Sequence, residues 1–350
     1  MAAELTDLAR PPWAAADTLI DVRSPAEFAE DHIPGAINLP VLSNEERARV
    51  GTIYTQDSPF RARKLGAVLV ARNAAAHIEA HLIDKDGAWR PMLYCWRGGQ
   101  RSGSFASILS QIGWRAETLA GGYRAYRRAV VARLYGARVP HRIIRLDGYT
   151  GTAKTALLPR LADRGVQVLD LEARAGHRGS ALGDLGGAQP SQKAFESALM
   201  ADLIPLDPDR PLVIEAESAR IGTVRVPPAL WVAMRDAPRL VVEAPVPARA
   251  AFLARAYGDL ATDAAALSTR LDMLRPFAGH GVVDHWQALA RAGATEALAG
   301  ELIALHYDPA YARLRASDVG PVMARIATES LTEAALDDLA DRLVAVIGAA

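Results

Sequence analysis

The sequence predicts an α/β protein of two parallel-sheet domains in series, the second closing with a helical C-terminal part, and three observations carry that prediction. Thr18-Leu19-Ile20-Asp21-Val22 and Pro91-Met92-Leu93-Tyr94 are short apolar runs that read as buried parallel strands, each followed by loop residues and then a helical pattern. The rhythm starts again at Arg142-Ile143-Ile144-Arg145-Leu146, a strand that enters a glycine-rich loop and then the helical Ala156-Leu157-Leu158. Beyond this second start the pattern becomes increasingly helical and ends on amphipathic Leu331 to Ile347. The 350 residues, half of them apolar and 23% charged, suffice for two packed cores rather than one oversized core. The breakers Gly136 and Pro140 put the division there: a first domain over 1–135, a linker over 136–141 and a second domain over 142–350.

Composition narrows the function classes. Lys and Arg number 40 against 40 Asp and Glu, so a polyanionic partner has to be held by a local basic surface rather than by a uniform field. The single cysteine excludes an internal disulfide and a tetracysteine metal site, and it points to a reducing compartment. Glu4 and Asp7 precede any apolar run, unlike a secretory signal. Apolar stretches are broken well short of the ~18 residues a membrane span needs. These features predict a cytoplasmic protein with no membrane partner; the oligomeric state is left open.

In the first domain, Cys95 falls at the carboxyl end of a strand, the edge where open α/β sheets collect their chemistry. It opens the loop Cys95-Trp96-Arg97-Gly98-Gly99-Gln100-Arg101-Ser102, ahead of a helix expected from about Ser104. With Gly98 and Gly99 adjacent, the backbone can curl so that successive N–H groups point inward and form an anion cradle. Arg97, Arg101 and the helix end favour thiolate over thiol, the form that attacks sulfur or selenium donors.

Around this loop the sequence resembles the rhodanese family. Leu19-Ile20-Asp21-Val22-Arg23-Ser24-Pro25-Ala26-Glu27-Phe28 with His32-Ile33-Pro34-Gly35-Ala36-Ile37-Asn38-Leu39-Pro40 is similar to its N-terminal signature, and Leu119-Ala120-Gly121-Gly122-Tyr123 to its closing segment. The resemblance implies a rhodanese-like parallel sheet and chalcogen transfer through Cys95. Asp21 and Arg23 read as a structural ion pair at a strand end.

In the second domain, Gly148-Tyr149-Thr150-Gly151-Thr152-Ala153-Lys154-Thr155 nearly fits the phosphate-binding pattern of Gly, four residues, Gly, Lys, Ser or Thr, with Ala153 in place of the second glycine. The amides from Gly148 through Gly151 would wrap a diphosphate, Lys154 would neutralise its outer oxygens and Thr155 could reach a magnesium ion. The added methyl is expected either to crowd the phosphate or to restrict a backbone angle. Leu212-Val213-Ile214-Glu215-Ala216-Glu217-Ser218 is a strand ending in carboxylates, where Glu215 or Glu217, but not both, would face the phosphate as an acidic partner.

Taken whole, the chain resembles the bacterial tRNA 2-selenouridine synthase family. The blocks that carry this are Val41-Leu42-Ser43-Asn44-Glu45-Glu46-Arg47, Gly51-Thr52-Ile53-Tyr54, the cysteine loop, His177-Arg178-Gly179-Ser180, Gln189-Pro190-Ser191-Gln192 and His306-Tyr307-Asp308-Pro309-Ala310-Tyr311. The resemblance implies replacement of the 2-thio sulfur of the wobble uridine, position 34, by selenium from selenophosphate. It also implies an S-geranylated intermediate made from geranyl diphosphate, and no tightly bound cofactor. An allylic diphosphate needs its departing charge stabilised, which a loop with Lys154 can do without hydrolysing ATP.

A tRNA partner requires a basic surface, and the stretch from Gly122 to Leu146 carries Arg124, Arg127, Arg128, Arg133, Arg138, Arg142 and Arg145 without one acid, with Tyr123, Tyr126 and Tyr135 as stacking rings. The competing reading is a solvated face whose arginines pair with acids elsewhere. His177 and Arg178 sit in a glycine-rich loop that suits a phosphate or donor as well as it suits a plain polar loop. His306, Tyr307 and Asp308 read as the end of a helix before Pro309, where a cap or a domain contact accounts for them as well as substrate binding does. His77 and His81 have the spacing of a metal pair but lack a third ligand, so no metal site is expected. Two alternatives remain: a rhodanese-type sulfurtransferase with an ATP-binding regulatory domain, and a non-enzymatic RNA-binding or redox adaptor.

Overall fold

The structure is a computed structural model that describes residues 2–136, 138–179, 183, 187–216, 218–258, 264–315 and 320–349. It forms two compact units, Met1–Ala137 with Pro190–Pro205, and Arg138–Gln189 with Leu206–Ala350.

The first unit is a five-stranded, all-parallel sheet of β1 (Ala2–Ala3), β2 (Thr18–Asp21), β3 (Ile37–Asn38), β4 (Pro91–Tyr94) and β5 (Glu117–Leu119), in the order β1-β5-β4-β2-β3. All four residues of β4 are buried, as a central strand covered on both faces requires. Its helices are α1 (Pro25–Glu30), α2 (Asn44–Gln56), α3 (Pro59–His77), α4 (Gln100–Ile112) and α5 (Gly122–Val131). Ser24 with Glu27 and Ser43 with Glu46 close capping boxes on α1 and α2, satisfying amides that the first turns leave open. One core cluster joins Ile20, Leu93, Phe105, Leu109, Trp89 and Trp114.

Polar burial holds the rest of this unit together. Arg23 and Asp21 form the expected ion pair, at 2.6 Å and fully buried. The Arg23 guanidinium also donates to the Asp31 carbonyl at 2.6 Å and lies 4.0 Å from the Tyr123 ring centroid. The Asp31 carboxylate accepts from the Tyr123 hydroxyl at 2.6 Å and the Ser197 hydroxyl at 3.0 Å. Ser197 lies on the helix Gln192–Leu203, which the sequence reading assigns to the second domain but which belongs to the first unit. The reason is its buried polar face. Glu196 is fully buried and finds its partners in Arg127, the Tyr135 hydroxyl at 2.5 Å and Gln192 at 2.9 Å, so the helix is held where a cation waits for it.

The second unit is also a parallel sheet, of β6 (Arg142–Gly148), β7 (Gln167–Leu169), β8 (Pro211–Glu215), β11 (Arg239–Glu243) and β12 (Val322–Ala327), in the order β12-β11-β6-β8-β7. A separate two-stranded antiparallel ribbon pairs β9 (Arg220–Ile221) with β10 (Val224–Arg225). The chain leaves β6 towards β7 and β8 and returns on the other side with β11 and β12. This puts a topological switch point at the carboxyl end of β6, where the glycine loop leads into α6 (Lys154–Asp163). The core under it contains Ile144, Leu146, Leu157, Val213, Leu240, Leu339 and Leu343, the last two from the C-terminal helix Glu333–Gly348. A second cluster around fully buried Trp286 joins the helices Ala264–Asp272, His280–Arg291 and Thr295–Leu302, the expected helical part. Among the described residues, no helix is long and apolar enough to cross a membrane.

Candidate functional site

In the first unit, β4 delivers Cys95 to the carboxyl edge of the sheet, and α4 starts at Gln100, four residues before the expected Ser104. The early start brings the helix N-terminus onto the sulfur. The buried Cys95 Sγ accepts from the Gly99 amide at 3.3 Å and from the Ser102 hydroxyl at 3.3 Å. Burial pushes the thiol up, but the hydrogen bonds from Ser102 and Gly99 and the charge of Arg101 outweigh it, so the thiol is held below its ordinary value. Arg101 does not stand alone: it binds the Glu27 carboxylate at 2.8 Å. Arg97 is exposed. Ser102 thus joins the site; the sequence offers one signal for it, a hydroxyl in the first turn of the helix that follows the cysteine loop.

Two glycines let the loop close. Gly98 has φ of 64° and Gly122 has φ of 55°, both in the left-handed region. A Cβ on Gly98 would drive into the Leu119 carbonyl and the amides of Gly121 and Gly122, and one on Gly122 into the Cys95 carbonyl. The approach lets the Tyr123 and Arg124 amides donate to the Cys95 and Trp96 carbonyls at 2.9 and 3.0 Å. The closing segment Gly121-Gly122-Tyr123 is therefore the clamp that sets the cysteine loop. Gly98→Ala is expected to lower stability by about 3 kcal/mol, through left-handed strain and backbone overlap together. Denaturant midpoints measure this, and a loss below about 0.5 kcal/mol would mean that the backbones part easily.

In the second unit, the glycine loop lies between β6 and α6 as expected. Ala153 has φ of 61°, and among the described residues it is the sole non-glycine with positive φ. Its methyl is buried in the core with Leu157 and Leu158. Of the two expected effects of the alanine, the backbone angle is therefore kept as a glycine would keep it, at a local cost of about 1 kcal/mol, with the methyl taken up by the core. Lys154 Nζ donates to the Gly148 carbonyl at 3.0 Å, folded back over its own loop. The Thr155 hydroxyl donates to Glu172 at 2.7 Å.

Carboxylates lie beside it on and before α7 (Leu171–Ala175) and on β8. Glu215 is buried and accepts from the Glu172 amide at 2.9 Å. Asp170 caps α7 through the Ala173 amide at 2.8 Å. Burial, together with the charge of Glu172, holds its carboxyl above the ordinary value. Glu217 lies outside the described residues. His177 and Arg178 follow α7, where His177 Nδ1 meets the Gly179 amide at 3.1 Å and Arg178 covers the Tyr257 ring at 4.7 Å.

Arg249, Asp308 and Tyr311 also adjoin the glycine loop, and of the three Arg249 carries no signal in the sequence. Arg249 is buried on the helix Val246–Ala256, pairs with Asp308 through two bonds of 2.9 and 2.7 Å, and donates to the Thr150 carbonyl at 3.2 Å. Nothing in the apolar Val246–Ala256 segment marks it. His306 to Asp308 do not end a helix: a π-helical turn, Ile303–Tyr307, runs straight into Asp308–Arg315, and Pro309 in the first turn costs no hydrogen bond there.

Of the basic run, Arg124, Arg128, Arg133 and Arg138 are exposed, whereas Arg127 turns inward to Glu196. Arg133 also lies 3.5 Å from Asp7. His77 Nε2 meets the Pro40 carbonyl at 2.9 Å, and burial holds its pKa low.

Comparison with known proteins matches residues 2–129 to a model of the rhodanese-like domain and residues 141–279 to one of the tRNA 2-selenouridine synthase AAA domain. Three similar proteins are each called tRNA 2-selenouridine synthase. That of Bdellovibrio bacteriovorus is 37% identical over 66% of this chain and 62% of its own length. That of Nitrosomonas europaea is 36% identical over 67% and 62%, and that of Proteus mirabilis 37% identical over 70% and 67%. The chain thus spans less than two thirds of the length of the first two.

Proposed function

Because the chain belongs to the tRNA 2-selenouridine synthase family, we propose that it is a cytoplasmic transferase that replaces the 2-thio sulfur of the wobble uridine of tRNA with selenium. In this reading the second unit takes geranyl diphosphate and alkylates the sulfur, which turns it into a better leaving group. The first unit then brings selenophosphate, whose selenium forms a bond to the same carbon while the C–S bond breaks and geranylthiol departs, and hydrolysis of the P–Se bond releases phosphate.

The observation that carries this reading is the cysteine cradle: a buried thiol held below its ordinary value by two amides, a hydroxyl and a guanidinium. The donors that hold this thiolate charge can also hold the selenophosphate anion beside the soft sulfur and stabilise charge as its selenium reaches the uridine carbon. The phosphate loop supports the other half, since the Lys154 ammonium lies over the loop, at the Gly148 carbonyl, where the outer oxygens of a diphosphate would come. The Thr155 hydroxyl and Glu172 carboxylate are hard oxygens of the class magnesium takes, so an ion carried by the diphosphate would find donors there. Nucleoside mass spectrometry of tRNA from cells lacking the protein tests the whole. Selenouridine should vanish and 2-thiouridine persist, and an unchanged selenouridine signal would refute the assignment.

Contact with tRNA falls in this reading to Arg124, Arg128, Arg133 and Arg138. Arg124→Ala and Arg128→Ala are each expected to weaken tRNA binding and reduce the slope of log affinity against log salt by about 0.9, with unchanged thermal stability. Arg127→Ala behaves differently. It leaves Glu196 buried without its cation and should destabilise the fold by about 3 kcal/mol. Salt titrations beside melting curves separate the two classes, and an unaltered salt slope in the first two variants would remove them from the RNA surface.

A further inference from the structure

We infer that Tyr311, with Tyr149 beside it, forms an aromatic wall at the lysine end of the phosphate loop, where it stabilises the positive charge that develops on the allylic carbon as diphosphate departs. The inference rests on the reading of the loop as a geranyl diphosphate site and deepens it by naming a further catalytic residue.

Tyr149 is the second residue of the loop, and Tyr311 reaches it from the helix Asp308–Arg315. Their ring centroids are 6.2 Å apart with planes at 53°. Lys154 Nζ lies 5.8 Å from the Tyr311 centroid and 3.0 Å from the Gly148 carbonyl. Arg249 stands 5.5 Å from the Tyr149 centroid. It binds both Asp308, at the start of the Tyr311 helix, and the Thr150 carbonyl, and so ties the helix to the loop. Both rings are half-buried, accessible to a ligand yet held at an angle.

This position distinguishes between ligands. In a nucleotide, ribose and an inner phosphate separate the base from the outer oxygens that a loop lysine meets, so a ring this close to Lys154 lies at the wrong end to stack a base. In an allylic diphosphate a single bridging oxygen separates C1 from phosphorus, and C1 then falls beside the ring nearest the lysine. Aromatic faces attract cations through the ring quadrupole, most strongly where water is partly excluded.

The step balances without a further reagent. The thiocarbonyl sulfur lone pair forms the S–C1 bond, the C1–O bond breaks, and its electron pair leaves with the diphosphate beside Lys154. The N3 proton of the base passes to water, leaving a neutral S-alkyl pyrimidinone. Charge builds on C1 to the extent that C1–O breaking runs ahead of S–C1 bonding, and only that charge is what Tyr311 can stabilise selectively.

The test follows geranyl transfer to 2-thiouridine-containing tRNA by the full chain. Tyr311→Leu should lower kcat about tenfold and Tyr311→Phe by less than about threefold, while inorganic diphosphate binds both variants as it binds the unaltered protein. Phenylalanines carrying one, two and three ring fluorines at position 311 should lower kcat stepwise at constant shape, which keeps the test decisive if the leucine variant folds poorly. A flat fluorine series, or a loss of diphosphate affinity matching the loss of kcat in Tyr311→Leu, overturns the inference and makes Tyr311 a brace for Lys154. An unaltered protein that neither binds diphosphate nor alkylates the tRNA instead overturns the reading of the loop, a result distinct from either.

Discussion

Cys95→Ala is expected to stop selenium entry into tRNA, a loss of at least about 10³-fold, while the S-geranylated nucleoside accumulates. The size follows from the absence of a substitute: Cys95 is the single cysteine of the chain, and no hydroxyl in the loop matches the softness of a thiolate towards selenium. Accumulation of the alkylated nucleoside is the specific part, since a protein that merely unfolded would make neither product. The pH dependence adds a second readout. The thiolate is the charged form, and a depressed pKa means that it persists below the ordinary thiol range and is lost as pH falls through the lowered value. Ser102→Ala removes one bond to Sγ and should move the acid limb of iodoacetamide reactivity to higher pH. A limb that stays in place would mean that Ser102 does not hold the charge.

Lys154→Ala is expected to give the complementary pattern, with geranylation down by about 10² to 10³ and tRNA left with 2-thiouridine. The departing diphosphate carries its charge into a loop of amides, and Lys154, whose ammonium lies over the loop at the Gly148 carbonyl, is the cation that can neutralise it. Given tRNA that has already been geranylated, the variant should still insert selenium, because the cysteine cradle belongs to the other unit. The two variants together therefore order the steps. Normal accumulation of geranylated nucleoside in Lys154→Ala would remove the loop from the alkylation.

Much of this was legible in the sequence, unevenly and for physical reasons. The strand Pro91–Tyr94 and the loop after Gly148 stand in the sequence as they do in the structure, because a buried parallel strand is an unbroken apolar run and a strand–glycine–helix turn is written in consecutive residues. The Asp21–Arg23 pair is legible because its members lie two residues apart. The helix α4 starts four residues before the position that the sequence suggests, because a glycine, which usually interrupts a helix, here caps one. In the sequence Arg127 is indistinguishable from the rest of the basic run; its partner Glu196 is 69 positions away, and no local pattern announces it.

What the chain settles by itself is the identity and local setting of its chemical groups: a lone thiol at a strand end before two glycines, and a lysine after a phosphate-type turn. Tertiary structure decided which of the neighbouring groups act on them. Ser102 comes to the sulfur, Gly122 presses against the cysteine loop, the helix Gln192–Leu203 joins the first unit through Glu196, and Arg249 ties Tyr311 to the phosphate loop. Strand and turn preferences act over a few residues, whereas desolvation of a charge such as Glu196 or Arg249 is compensated only by a partner the whole fold brings near.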